Sequence, residues 1–339
     1  MKHPLLLSVA LLASCNAAPA PSPKQEPAPT AAPAKNSALA PAEIVAAAPP
    51  ADWATVAPSD LLVMDLAPDA KGGARRVVVQ LLPAPFSQGW IGNIRMLAAA
   101  KWWDGTSINR VQDGYVVQWG DPDGEDKVKA KPLPAGLNVV PVEAYQVPFQ
   151  KVMMATPDGR RVDPLLSPVA VHWRKPPDVR DDSYSLQVGM TASGWPVASD
   201  GSAMWPIHCY GTVGVGRDYP PDTGSGAELY AVIGQAPRQL DRNIAVVGRV
   251  IEGMEHLSSL PRGTGDIGFY KTAEERTPIR QIRIGTDVPD LPRYQYLSTE
   301  SESFARYADA RANRRDAFYI RPAGGVDICN VPVPVRRAP

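Results

Sequence analysis

The sequence predicts a mainly β fold closed as a barrel, on three observations. Apolar runs of strand length recur along the middle of the chain, each bounded by Gly, Pro or an Asp-Gly pair. Only two or three segments carry helical spacing. One stretch, Gly211-Thr212-Val213-Gly214-Val215-Gly216-Arg217, alternates side chain with bare backbone, as where another backbone must come close. Many short strands with few helices describe an antiparallel sheet that removes its edges by closing on itself.

The elements follow in order. Met1-Lys2-His3 is a short basic start, and Leu5 to Leu12 is an apolar core of export-signal length. It ends in Leu12-Ala13-Ser14-Cys15, which resembles a bacterial lipobox. That resemblance implies lipidation of Cys15 and a periplasmic, membrane-anchored protein; the alternative is an ordinary secretory signal with an incidental cysteine and a secreted product. From Asn16 to about Pro50 the chain is almost wholly Ala, Pro, Ser and Lys, too poor in apolar bulk to offset the entropy of ordering. A signal over 1–15 and an extended tether over 16–58 are therefore expected, with folded structure beginning near Ser59.

Arg76 to Leu82 reads as a buried strand that Pro83 and Pro85 end. Gln88 to Trp102 is helical, with Ile91, Ile94, Leu97 and Ala98 on one face. After the Asp104-Gly105 turn come two short strands, Ser107–Val111 and Gly114–Trp119. Residues 125–205 lack a long periodic element and form an elaborated insertion with short strands such as Ala170–Trp173. Leu229–Gly234, Asn243–Val250 and Gln281–Ile284 are further strands, and Gly253–Leu260 is a short helix before Pro261. Thr299-x-x-Glu302 matches a capping box for a helix carrying Phe304 and Tyr307. Residues 59–285 thus form the main domain, and 286–339 an extension packed on it.

Composition excludes several functions. The 339 residues would permit two domains, but many of the 37 prolines crowd the N-terminus. The 35 basic and 35 acidic residues cancel without a long basic run, so no nucleic-acid footprint is present. Beyond the N-terminus no segment reaches the roughly 20 apolar residues of a membrane span, leaving the lipid anchor as the sole membrane contact. His3, His172, His208 and His256 lack ligand spacing, so no metal is expected, and no cofactor. The glycine run is followed by Arg-Asp-Tyr-Pro-Pro rather than a helix, which rules out a dinucleotide cradle. Cys209 beside His208 reads as a structural cysteine, not a nucleophile. Outside the cytoplasm Cys209 and Cys329 form an even pair that invites a disulfide, two unrelated buried thiols being the alternative.

The stretch Trp103 to Asp121 places Arg110 and Gln118 among strand-forming side chains. Ile108-Asn109-Arg110 followed by Tyr115-Val116-Val117-Gln118-Trp119-Gly120-Asp121 resembles the cyclophilin segment Phe-His-Arg…Phe-Met-x-Gln-Gly-Gly-Asp. Four further blocks follow the same order: Arg76–Leu82; Asn93-Ile94 with Asp104-Gly105-Thr106; Gly226-Ala227-Glu228-Leu229-Tyr230; and Leu240-Asp241 with Val247-Gly248-Arg249-Val250-Ile251-Glu252-Gly253-Met254. The likeness spans roughly 75–285. It implies a closed, eight-stranded antiparallel barrel capped by two helices, and peptidyl-prolyl cis–trans isomerisation by a monomer acting on proline-containing polypeptides of the cell envelope.

The resemblance gives each residue a role. An X-Pro amide rotates slowly because nitrogen donates its lone pair to the carbonyl, a barrier of about 18–20 kcal/mol. A fixed guanidinium aimed at that nitrogen favours the twisted state in which the pair is localised. Arg110 takes that part. Gln118 holds a substrate carbonyl and orients Arg110. Tyr115, Val116, Tyr230 and Leu240 line the proline pocket, and the strand carrying Val215 and Arg217, with Glu228 near it, receives the peptide backbone. The chain departs from the family at Asn109, Val116, Trp119, Arg217, Glu228, Gln239 and Ile244. The recut pocket invites an ion pair from Glu228 to Arg217 or Arg110; capture of Arg110 would leave a weak or inactive peptide-binding module, the alternative to an isomerase.

Overall fold

In a computed structural model of the chain, described over residues 38–148, 173–174 and 179–339, helix α1 (Pro41–Ala46) and strand β1 (Trp53–Val56) come first. Ordered structure therefore begins well before Ser59, inside the expected tether. Ile44, Trp53 and Val56 are the reason: each is buried, and together they supply the apolar bulk that the surrounding Ala and Pro lack. Cys15, most of the tether and residues 170–172 of the expected Ala170–Trp173 strand lie outside the described residues.

The chain continues through β2 (Leu61–Leu66), β3 (Arg75–Leu81), α2 (Gln88–Ala99), β4 (Ser107–Val111) and β5 (Val116–Gly120). The insertion contributes β6 (Val147–Pro148), β7 (Trp173–Arg174), β8 (Gln187–Thr191), β9 (Pro196–Ser199) and β10 (Ala203–Pro206). Next are β11 (Thr212–Val215), β12 (Leu229–Val232), β13 (Val246–Glu252), α3 (Met254–Ser258) and β14 (Thr277–Ile284). β15 (Tyr294–Leu297), α4 (Glu302–Ala312) and β16 (Val335–Arg337) complete it. Eight of these strands close an antiparallel barrel in the order β11-β12-β5-β4-β14-β2-β3-β13, and β13 pairs back onto β11. The predicted fold class is the one found. β2, which the sequence reading passed over, lies hydrogen-bonded between β14 and β3.

The two-residue period of each strand sorts side chains between the barrel interior and its outside. Val77, Val79 and Leu81, Val117 and Trp119, Val213 and Val215, and Leu229 and Ala231 all enter one continuous core. Helix α2 closes it with Trp90, Ile91, Ile94 and Leu97, all buried. Its Asn93 amide donates to the Asn138 and Ser225 carbonyls, 2.9 Å each, tying two loops to the helix.

A second layer covers part of the barrel. It joins the five-stranded sheet β6-β10-β9-β8-β7 with the three-stranded sheet β1-β15-β16. Its own core gathers Ile44 and Trp53 from the N-terminal segment, Met190 and Trp205 from the insertion, and Phe304, Tyr307 and Ile328 from the extension. At the start of α4 the hydroxyl of Ser301 accepts the Phe304 N–H at 3.0 Å. Thr299, expected as the cap, instead donates to the Thr191 carbonyl at 2.8 Å, binding the extension to the insertion. Cys209, just before β11, and Cys329, in the extension, form a disulfide across a separation of 120 residues.

Replacing Cys209 and Cys329 together by alanine should lower the stability by about 4–5 kcal/mol, the loop-entropy value for such a span. Denaturant titration checks it; a loss below about 1 kcal/mol would mean that packing alone joins the two layers.

Candidate active site

The site starts from an irregularity in β4. Ile108 faces Trp119 and Val111 faces Val117 across the ladder, while Asn109 and Arg110 together oppose the single residue Gln118. This is a β-bulge, which adds one residue to one strand and re-aims its side chains. It lets Ile108 and Val111, three residues apart, both enter the core and leaves Arg110 outside, level with Gln118. The row continues: Gln118 pairs with Tyr230, and Tyr230 with Gly214. Four adjacent strands therefore present a guanidinium, an amide, a phenol and bare backbone in one line.

Neutral groups hold the guanidinium. Arg110 Nε donates to the Ile267 carbonyl at 2.7 Å, Nη1 donates to Gln118 Oε1 at 3.3 Å, and Nη2 donates to Gln112 Oε1. The rings of Tyr115 and Phe269 lie 5.8 and 5.5 Å from its central carbon. Among the described residues no carboxylate pairs with it: Asp113 binds Arg262 at 2.8 Å, and Asp121 accepts the Lys131 N–H at 2.6 Å. Partial burial pulls the Arg110 pKa below its ordinary value, yet guanidinium stays charged in proteins. The result is a fixed cation with two of its five N–H bonds still to give.

Beside it, Val116, Tyr230 and Val232 form a small buried cluster separate from the barrel core, with Tyr115, Leu240 and Ile244 packed against them. A guanidinium with N–H bonds to spare beside an apolar hollow suits a ligand that carries an amide nitrogen in a ring. Next to the hollow, Tyr145, Arg217, Asp222 and Asn243 contribute to a polar cleft of about 530 Å³.

A match to the family model "Cyclophilin type peptidyl-prolyl cis-trans isomerase/CLD" covers residues 90–286, more than half the chain. The chain belongs to the cyclophilin family. Its activity is that of a peptidyl-prolyl cis–trans isomerase. The crystal structure of cyclophilin AquaCyp293 from Hirschia baltica superposes with a TM-score of 0.59 at 18% identity, covering 85% of this chain and 94% of the other. That share exceeds everything between the first and last barrel strands, so the likeness in fold reaches into the second layer. A Cryptosporidium parvum cyclophilin type peptidyl-prolyl cis-trans isomerase aligns at 13% identity with a TM-score of 0.34, covering 66% of this chain and 97% of that one. No curated protein sequence matches.

Arg110, Gln118, Tyr115, Val116, Tyr230 and Leu240 gather at this cyclophilin's hollow. Two other expected site residues stand differently. Val215 is fully buried in the barrel core, because the outward positions of β11 fall on Thr212 and Gly214; its side chain cannot touch a substrate, and only the strand's backbone remains for one. Glu228 makes neither of the ion pairs the sequence suggested. Its Oε1 accepts the Asp121 N–H at 2.7 Å, the carboxylate lying where a Cβ on Gly120 would sit. Arg217 instead donates to the carbonyls of Asn243 at 3.1 Å and Asp218 at 2.6 Å. Trp119, in place of a small residue, faces the barrel interior and leaves the hollow untouched.

Sequence reasoning missed the back wall. His208, fully buried, sits 2.8 Å from the Tyr230 hydroxyl through Nε2 and 2.9 Å from Asp241 Oδ1 through Nδ1. Arg238 Nε donates to the other Asp241 oxygen at 2.6 Å, and both its terminal nitrogens donate to Asp182. The carboxylate can only accept, which assigns the proton to Nδ1 and leaves Nε2 to accept the Tyr230 O–H. The phenol spans Gly214, where a Cβ would come 2.3 Å from the hydroxyl oxygen. Asp182 lies in the insertion, so the second layer braces the pocket floor. The only trace of this in the sequence was Leu240-Asp241, read for its leucine.

Tyr230→Phe should leave the ring in place but strip His208 of a partner, costing about 1–3 kcal/mol. Unchanged stability in urea titration would show that the hydroxyl does not hold the ring. Glu228 supplies a second test. Burial pushes its carboxyl up to about 8, against the opposing pull of the Asp121 N–H. The folded chain thus keeps a proton that the unfolded chain releases. Stability falls as pH rises from about 4.5 to about 8 and levels off above. Glu228→Gln should flatten that slope and melt higher than the parent above pH 8, with no such advantage in acid; parallel melting curves for the two proteins would contradict this.

Proposed function

We propose that Arg110 carries the isomerisation, acting on X-Pro bonds of polypeptides outside the cytoplasm. The carrying observation is a guanidinium oriented by three neutral acceptors and left uncompensated beside an apolar hollow. The proline ring enters among Val116, Tyr230, Leu240 and Tyr115. As the amide twists, its nitrogen lone pair localises and becomes an acceptor that the planar amide lacked. The free N–H bonds of Arg110 meet it there. Because neutral groups already fix the guanidinium, no reorganisation is spent at the moment of rotation, the condition under which electrostatic stabilisation works best. Gln118 accepts from Arg110 through Oε1; one amide N–H goes to the Glu228 side chain, leaving the other for the substrate carbonyl. No proton transfer or covalent intermediate is required.

The pocket-poisoned alternative required Glu228 to neutralise Arg110. The carboxylate's commitment to Asp121 supports the active reading instead. The site is complete within one chain, which supports a monomer. Export is supported by the N-terminal signal pattern, and the Cys209–Cys329 disulfide suits an oxidising compartment. We take Cys15 as the lipid-bearing residue that tethers the domain at the cell envelope.

Arg110→Ala should slow cis–trans conversion of a proline tetrapeptide by about 100–1000-fold, the scale of losing one preorganised donor. Far-UV circular dichroism should not change. A folded variant with undiminished turnover would remove Arg110 from the mechanism.

A further inference from the structure

Where the barrel meets the second layer lies a cavity of about 220 Å³ that shares no residue with the proline hollow. Trp195, Ile207, Val250, Ile328 and Val333 form much of its wall. Tyr210 and Pro332, both exposed, stand at its mouth. One charged side chain lines it, Arg249 of β13.

Arg249 is held only by neutral groups. Its Nε and Nη2 donate to Gln80 Oε1 at 3.0 and 2.8 Å, and Nη1 donates to the Gly194 carbonyl at 2.6 Å. The guanidinium carbon lies 4.5 Å from the centre of the Trp195 ring. Among the described residues no carboxylate pairs with it. Removal from bulk water is severe enough to push its pKa down to about 10. Three of five N–H bonds are used, so two remain. A half-buried cation without a counter-ion among the described residues is costly, and it gains most from an anion that brings its own apolar body.

We propose that this cavity binds a small apolar monocarboxylate, with the carboxylate on Arg249 and the hydrocarbon against Trp195, Val250 and Ile328. The size fits. An apolar cavity of about 150 Å³ accepts benzene, so about 220 Å³ takes a single ring with one carboxylate. A planar guanidinium prefers carboxylate to other small anions because two parallel N–H bonds match its two oxygens.

The test uses the full chain, benzoate, and benzamide as its neutral isostere, followed by NMR. Benzoate should shift the Trp195 indole and the Val250 and Ile328 methyl resonances saturably, and benzamide should bind at least about tenfold more weakly. Arg249→Gln should erase that preference, while prolyl isomerisation stays at the parent rate. If Arg249→Gln does not fold, Arg249→Lys, which keeps the charge, should retain the preference for benzoate. Equal binding of the two compounds, shifts confined to the proline hollow, or no saturable shift of these three residues would each overturn the proposal.

Discussion

A cation set partly away from water that is to act on an amide nitrogen, the part proposed for Arg110, must be held firmly without being neutralised. Arg110 meets both demands through carbonyl and amide oxygens, which fix direction without cancelling charge. A carboxylate at the same place would strengthen the local bonding and remove the field that an amide nitrogen could feel. Acidic residues that could compete are tied elsewhere: Asp113 to Arg262, Asp121 to the backbone of Lys131, and Glu228 to the backbone of Asp121. The bulge at Asn109 serves the same end, since it aligns Arg110 with Gln118 while its neighbours stay in the core.

The barrel alone does not complete the site. Tyr230 is steadied by His208, His208 by Asp241, and Asp241 by Arg238, whose remaining nitrogens reach Asp182 in the insertion. Each of these five side chains has its polar atoms paired with the next, which is what makes a polar wall behind an apolar pocket tolerable. The disulfide adds a covalent tie next to it, since Cys209 follows His208 directly. The second layer thus joins the N-terminal segment, the insertion and the extension into one support behind the hollow.

Arg110 and Arg249 share a design with Arg336, which Gln295 Oε1 and the Trp53 ring hold in the same way. Arg110 and Arg249 are both fixed by neutral acceptors and flanked by aromatic rings. Arg238 shows the contrast, as its two carboxylates spend its charge on structure. Neutral anchoring keeps charge available for a visitor; ionic anchoring does not.

Much of the barrel and the hollow was legible because strand periodicity and a few ordered motifs are local properties. Arg110, Gln118, Tyr115, Val116 and Tyr230 stand in short blocks whose spacing states their face. Val215 turns its side chain into the core, because the one-residue offset between glycine and valine decides which of them faces out. The tether was drawn too long because Trp53 is a single large residue in a stretch dominated by Ala and Pro. By itself the sequence indicated the barrel, since alternation and turn chemistry act within a few residues, and through the resemblance of its ordered blocks it pointed to the family and the residues of the hollow. Only the tertiary structure decided that Glu228 turns onto Asp121, that His208 backs Tyr230, and that Arg249 is roofed by the second layer. Those outcomes depend on contacts between segments far apart in the chain, whose meeting no local pattern encodes.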